Sequence, residues 1–144
     1  MLVSDLIKRK GSAVTTAPPG TTVTELLDLL AEHGIGAVVV SADGTTVDGI
    51  VSERDVVRAL RTAGADLLGA PISDVMTADV AVSAPADPVE DMMRLMTDRR
   101  IRHVPVVADG RLAGIISIGD VVKSRIDELE SDRDQLITYI HSSG

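Results

Sequence analysis

Residues 114–122, GIISIGDVV, repeat residues 49–57, GIVSERDVV, 65 positions earlier in the chain. Both stretches carry Gly-x-x-Ser-x-x-Asp after an apolar run. A Ser followed three residues later by an acidic residue is typical of the N-terminal cap of a helix. The two stretches therefore predict a strand that leads directly into a helix, at two places in one small protein.

The repetition extends well beyond these two stretches. We assign a first repeat to residues 1–65, a second to residues 66–125, and a C-terminal helix and tail to residues 126–144. The further matched pairs are VSDLI (3–7) with ISDVM (72–76), residues 14–30 with 80–96, and residues 35–44 with 101–110.

Each repeat shows the pattern β-α-β-β-α. In the first, an extended piece at residues 14–16 precedes a helix that Thr22 and Glu25 cap and that Gly34 ends. A β-hairpin follows, with an Asp-Gly turn at residues 43–44. The second helix of the repeat begins at the Ser-x-x-Asp motif.

The second repeat carries the same signals in different residues. An extended piece at residues 80–83 precedes a helix with Asp87 as N-cap, Pro88 at its first position and Glu90 closing the capping box. A hairpin with an Asp-Gly turn at residues 109–110 follows. Neither half is expected to bury enough apolar surface to fold alone. We therefore predict an α/β (α+β) fold of two pseudo-twofold-related β-α-β-β-α repeats packed sheet to sheet, with two clefts between them.

Composition argues against several classes of function. The chain of 144 residues has no Cys and three scattered His, so neither thiol chemistry nor a metal site is expected. Its net charge of −8 and its lack of Trp and Phe argue against nucleic acid as a partner. No apolar run approaches the ~20 residues of a membrane span. The N-terminus does not resemble a secretory signal, so we expect a cytoplasmic location without membrane association.

The two motifs, Ser52 with Asp55 and Ser117 with Asp120, admit two interpretations. In the first they only cap helices. In the second the same geometry holds a ligand, because a helix N-terminus favours anions and an exposed carboxylate accepts hydrogen bonds from a ribose diol. Aliphatic strand residues would enclose a flat base, so the ligand of the second interpretation is a nucleotide.

A nucleotide needs basic residues in this acidic chain, and the densest basic run is DRRIRH, residues 98–103. Arg102 and His103 are neighbours on a predicted strand and are expected to point in opposite directions, so only one of them should face a given cleft. Arg99 and Arg100 are expected at a solvated helix end. The other basic candidates are Arg54 in the first repeat and, more weakly, Arg58 and Lys123.

The duplicated unit with GIVSERD and GIISIGD resembles a pair of cystathionine-β-synthase (CBS) domains. Residues 101–123 closely resemble the second repeat of stand-alone bacterial CBS-pair proteins, and the likeness extends from Met1 to Lys123 or beyond. It implies a non-catalytic regulatory module that needs no cofactor and binds an adenosine compound: AMP, ADP, ATP, NAD or S-adenosylmethionine.

The resemblance also implies roles for individual residues. Asp120 and Asp55 would hold ribose hydroxyls, with Ser117 and Ser52 beside them; the remaining ligand-binding candidates are His103, Arg102 and Arg54. Backbone at residues 36–38, 102–104, 14–16 and 80–82 would line the base pocket. Because HVPV in the second repeat corresponds to AVVV in the first, we expect unequal sites, with the second binding phosphate more tightly. The family further implies a homodimer, a flat disk of four repeats, and a regulated protein partner in trans.

The sequence leaves one alternative function open. The chain is a ligand-free structural or dimerisation module if its motifs are only caps. An enzyme is not expected, because the sequence has no phosphate-binding Gly-rich loop, nucleophile elbow or metal cluster.

The C-terminal tail shows the spacing of apolar residues that is typical of a helix. We expect this helix to pack either on its own domain or on a dimer partner, and residues 141–144 to be frayed. Its apolar positions are Ile126, Leu129, Leu136, Ile137 and Ile140.

Overall fold

A computed structural model describes residues 1–143, and it confirms the predicted mixed α/β class with two related repeats. Two 3-10 helices, Gly64–Gly69 and Ile72–Asp74, connect the repeats. The other elements are α1 (Val3–Lys10), β1 (Thr16–Ala17), α2 (Val23–His33), β2 (Ala37–Val40), β3 (Gly49–Ser52), α3 (Glu53–Ala63), α4 (Val89–Arg99), β4 (His103–Ala108), β5 (Arg111–Ser117) and α5 (Ile118–Ser143).

The two repeats build unequal sheets. In the first, β1 pairs in parallel with β2, and β2 pairs antiparallel with β3. In the second, β4 and β5 form an antiparallel pair. The extended piece predicted at residues 80–83 contributes one parallel bridge, between Ser83 and Val106, where the first repeat has a short strand.

The N-terminal caps of α2 in the first repeat and α4 in the second repeat differ. Thr22 caps α2 as predicted, accepting a hydrogen bond from Glu25 N at 3.2 Å, and Gly34 ends the helix in the left-handed conformation. The prediction that Asp87 caps α4 is wrong. Pro88 occupies the N-cap position without a side-chain hydrogen bond, because the Asp87 carboxylate instead accepts from Ala84 N at 2.8 Å and closes the preceding turn.

Each of the two hydrophobic cores contains residues from both repeats. Val3 and Leu6 of α1 are buried in the core of the second repeat. Ile72, from the equivalent position of the second repeat, is buried in the core of the first. Each repeat therefore contributes its leading segment to the other, and this exchange joins the two halves into one unit.

Backbone bonds between the repeats show their pseudo-twofold relation. Leu2 bridges to Pro88, and the equivalent pair, Pro71 and Thr22, forms the same antiparallel bridge. The symmetry therefore extends to the segments that cross between the halves.

The tail forms part of α5. Residues 141–143, predicted to fray, continue this helix, whereas Gly144 lies outside the described residues. Across residues 1–143, none of the helices has the length and apolar character needed to cross a bilayer.

Candidate functional site

Both Ser-x-x-Asp motifs cap the helix that follows a hairpin. At the start of α3, Asp55 Oδ2 accepts from Ser52 N at 2.8 Å, and Ser52 Oγ accepts from Asp55 N at 3.3 Å. At the start of α5, Asp120 Oδ2 accepts from Ser117 N at 2.8 Å, and Ser117 Oγ accepts from Asp120 N at 3.2 Å. The reciprocal bonds fix each carboxylate at the mouth of its helix, so the capping role is confirmed for both motifs.

A cavity of about 680 Å³ lies beside the first motif. Of the seven predicted ligand-binding residues, Ser117 and Asp120 do not line it. The other five do: Ser52, Arg54, Asp55, Arg102 and His103. The structure thus brings the basic run of the second repeat to the motif of the first.

This crossing follows from how the repeats face each other. The end of α4 meets the start of α3, where Arg54 Nη1 donates to the backbone oxygen of Arg100 at 3.1 Å. Arg100 holds the left-handed conformation, with φ 54°, which turns the chain sharply toward β4. Arg99 and Arg100 are exposed, as expected for a helix end, and they also line the cavity.

The prediction that only one of Arg102 and His103 faces a given cleft is wrong, because both line the same cavity. Arg102 lies in a bend before β4 rather than on the strand, so the alternation of strand side chains does not apply to it. Of the two weaker candidates, Arg58 lines the cavity and Lys123 does not.

His103 lies half-buried between the two motifs. It pairs with Ser117 across the second hairpin, and its ring carbon Cε1 would lie 3.5 Å from a Cβ built on Gly36. Burial, together with the positive charges of Lys10 and Arg102, lowers the pKa of His103 below its ordinary value of 6.5. His103 is therefore mainly uncharged near pH 7 and contributes a hydrogen-bonding ring rather than a cation.

Charge in the cavity is opposite to that of the chain. Although the protein carries a net charge of −8, five arginines and three carboxylates line this space. The arginines are Arg54, Arg58, Arg99, Arg100 and Arg102, and the carboxylates are Glu53, Asp55 and Asp79. This excess of positive charge suits an anionic ligand.

The second motif has a different neighbour. Lys10, at the end of α1, forms an ion pair with Asp120. Burial favours the neutral form of Asp120, but hydrogen bonds from Lys10 and Ser117 outweigh it, and the pKa of Asp120 lies below its ordinary value. Asp120 therefore stays ionised and paired.

Sequence patterns did not mark every residue of these sites. No motif singles out Lys10, Glu53, Thr77 or Asp79, although all but Lys10 line the cavity. One signal was present: extending the match between VSDLI and ISDVM places Lys10 opposite Asp79. Within residues 1–143, no group of three or more His, Asp or Glu side chains is arranged to hold a metal ion.

Two related repeats with exchanged leading segments, each with a helix-capping Ser-x-x-Asp motif after its hairpin, define a tandem-repeat module. The chain belongs to the CBS-domain family, whose model, described as CBS domain, matches residues 3–62 and 72–127.

Solved structures agree with this assignment. A CBS-domain containing protein of Agrobacterium tumefaciens is 48% identical, with a TM-score of 0.84 over 87% of this chain and 99% of its own. A CBS domain protein of Pyrobaculum aerophilum, complexed with AMP, is 31% identical, with a TM-score of 0.72 over 83% and 89% of the two chains. A CBS domain pair in complex with 5′-methylthioadenosine and S-adenosyl-L-methionine is 25% identical, with a TM-score of 0.77 over 89% and 98%.

Proposed function

We propose that this protein is a non-catalytic regulatory module that binds an adenine nucleotide in the cleft of the first motif. The observation that carries the proposal is the cavity of about 680 Å³ whose lining includes Asp55 and five arginines. This volume lies within the ~300–1,000 Å³ typical of small-molecule sites. Relatives of this chain bind adenosine compounds in their crystal structures.

Each part of a nucleotide has a matching partner in the cleft. Asp55 is held by Ser52 and presents a carboxylate suited to the two ribose hydroxyls. Because no Phe, Tyr or Trp lines the cavity, the adenine would pack between aliphatic groups and backbone. The aliphatic lining residues are Ala37, Ile50, Val57, Val80, Ala81 and Ile101.

The charge of the lining favours a ligand that bears phosphate. Arg99, Arg100 and Arg102 lie together at the junction of α4 and β4. A guanidinium group can donate two parallel hydrogen bonds to the oxygens of one phosphate. S-adenosylmethionine carries a positive sulfonium, which the same arginines repel. Among the adenosine compounds that family members bind, AMP, ADP, ATP and NAD therefore fit this cleft best.

The sequence led us to expect tighter phosphate binding at the second motif, and the geometry supports the first instead. The basic residues belong to the second repeat, but they line the cavity of the first motif. Asp120 is already paired with Lys10. We therefore assign the ribose role to Asp55 in preference to Asp120.

Regulation by such a module needs a surface that responds to the ligand, and we propose that a homodimer provides it. The helices that follow the two motifs, α3 and α5, expose apolar side chains. Leu60 of α3 is 40% exposed, Val122 of α5 is 47% exposed, and neither lines the cavity of the first motif. These helices begin at the two Ser-x-x-Asp motifs. A nucleotide at Asp55 would therefore change the stability of a dimer, or of a complex with a protein partner in trans, that packs on α3. The cytoplasmic location expected from the sequence stays a prediction.

The dimer has its own test. Leu60→Glu and Val122→Glu place charges on the proposed interface but outside the cavity of the first motif, and each should turn a dimer into a monomer in light scattering coupled to size exclusion. Leu68→Glu, an exposed apolar position outside both helices, is the matched control. A wild-type chain that is monomeric at all concentrations would overturn the dimer without touching the nucleotide site.

Nucleotide binding is tested by melting the protein with AMP, ADP, ATP, NAD, S-adenosylmethionine and 5′-methylthioadenosine. A nucleotide at ~100 times its dissociation constant adds about 2.7 kcal/mol to the free energy of unfolding, which corresponds to several degrees. We expect this shift with a phosphate-bearing compound. Asp55→Asn should abolish it, while the matched Asp120→Asn should preserve it.

Two results would contradict the proposal. A flat panel would favour a ligand-free structural module, in which the motifs serve only as caps. A shift that survives Asp55→Asn but disappears with Asp120→Asn would place the nucleotide at the second motif.

A further inference from the structure

The ammonium group of Lys10 lies beside the Asp120 carboxylate of the second motif. Its Nζ donates to the backbone oxygen of Ile115 at 2.7 Å and lies 2.5 Å from Asp120 Oδ2. Asp120 Oδ2 also accepts a hydrogen bond from Ser117 N at 2.8 Å. Both side chains of the ion pair are about three-quarters buried, with 29% and 25% of their surfaces exposed. The pair is therefore screened less by solvent than a surface ion pair.

The first motif has no such neighbour at the equivalent position. The match between the leading segments of the two repeats places Asp79 where the second motif has Lys10. Asp79 is exposed and lines the cavity together with Asp55. Asp79 has no positive charge that could pair with Asp55, so the first motif keeps its Asp available to a ligand.

The backbone explains how Lys10 reaches its place. After the 3-10 helix Ile72–Asp74 the chain runs on to Thr77, which exchanges two backbone hydrogen bonds with Ile50, at 2.8 and 3.0 Å. In the other half, α1 stays helical as far as Lys10, and the ammonium group bonds the backbone of Ile115. One side chain thus binds both the strand and the motif.

The basic residues of the cleft are distributed with the same asymmetry. Positions 99, 100 and 102 of the second repeat, all Arg, line the first cleft. The equivalent positions in the first repeat are His33, Gly34 and Gly36. The symmetry-related cleft therefore lacks these three guanidinium groups, and Lys10 occupies its carboxylate.

We propose that Lys10 blocks the Asp120 carboxylate, so that each chain binds one nucleotide, at the first motif. The inference rests on the proposed function of the first cleft. Removing the Lys10 charge frees Asp120 for a ribose and creates a second site. That site is weaker, because the three arginines serve the first cleft alone.

Isothermal titration with AMP, ADP, ATP and NAD tests the inference through stoichiometry. We expect one nucleotide per chain for the wild type and two for Lys10→Met, the second binding about tenfold or more weakly because it lacks charge-assisted bonds. Lys10→Arg keeps the cation and should stay at one. Lys8→Met, an exposed position on the same helix, is the matched control and should also stay at one. Adding Asp120→Asn to Lys10→Met should remove the second event.

The outcomes separate this inference from the function on which it rests. Two nucleotides per wild-type chain would overturn the block while leaving the nucleotide site intact, and this result needs no variant. One per chain in Lys10→Met, even at about 1,000 times the first dissociation constant, would also overturn it. If Lys10→Met does not fold, Lys10→Gln keeps a hydrogen-bond donor for Ile115 and takes its place. No binding by any variant would overturn the proposed function itself.

Discussion

Gly49 lies so close to Met76 that a Cβ at this glycine would stand 2.6 Å from the methionine Sδ and 2.9 Å from the backbone oxygen of Thr77. The equivalent glycine of the second repeat, Gly114, faces Ile7, whose Cδ1 would stand 2.6 Å from the added carbon. The glycine that opens each repeated stretch is therefore where the leading segment of the opposite repeat packs against the strand.

Alanine at these two glycines should have unequal costs. Gly49→Ala meets the Thr77 oxygen, which a hydrogen bond from Ile50 N at 3.0 Å holds in place, so it should cost about 1–3 kcal/mol of unfolding free energy. Gly114→Ala meets the far end of one flexible side chain, so its loss should be smaller. Urea denaturation of both variants measures the difference. Equal losses would mean that the strand moves as readily as the Ile7 side chain.

Ser52 should prove to be both a cap and a ligand contact. Ser52→Ala and Thr22→Ala each remove an N-cap hydroxyl, and each should cost about 0.5–2 kcal/mol in denaturation experiments. Only Ser52 lines the cavity, so only its substitution should weaken nucleotide binding in titration. Equal affinity in both variants would leave Ser52 as a cap alone.

Arg100 holds a strained conformation at the edge of the cavity. Its φ is 54°, while the equivalent Gly34 has φ 60° at the end of α2. Arg100→Gly should relieve the strain and raise the unfolding free energy by about 0.5–1 kcal/mol, the difference between left-handed strain and the entropy cost of glycine.

The same variant should bind nucleotide less well. It removes one exposed guanidinium, so the affinity should fall by up to about fivefold. Gly34→Arg, the reverse change at the equivalent helix end, should instead destabilise the protein. A variant that is both less stable and unchanged in affinity would show that Arg100 serves the fold rather than the ligand.

The lowered pKa of His103 predicts a loss of stability in mild acid. The group binds a proton more readily in the unfolded chain, where its pKa is about 6.5, than in the folded one. The contribution of neutral His103 to the free energy of unfolding is fully present above pH 6.5 and is lost as the pH falls through the lower pKa of the folded state. Lys10, Arg102, Asp120 and Glu53 all act on this ring, and the two cations together with burial decide the direction.

Melting curves between pH 7.5 and 5 give the measurement. The wild type should lose more stability over this range than His103→Gln, in which the titrating ring is absent. His33→Gln, at the exposed end of α2, is the control and should follow the wild type. Parallel curves for the wild type and His103→Gln would show that other groups carry the pH dependence.

Local patterns in the sequence determined the repeats, the class of fold and the caps of α2, α3 and α5. They did so because a cap or a hairpin is formed by residues close together in the chain. The same argument was wrong at Asp87, whose carboxylate closes the turn before α4 instead of capping it. It was also wrong at Arg102, since strand alternation was applied to a residue that precedes the strand.

Only the tertiary structure decided which residues meet across the repeats. The arginines around position 100 belong to the second repeat in sequence, yet they line the cavity of Asp55 in the first. Lys10 stands 110 positions from Asp120 and still forms its ion pair. The physical reason is the way the two repeats pack together, which brings the end of α4 to the first motif and the end of α1 to the second. These are relations between distant segments that no local pattern contains.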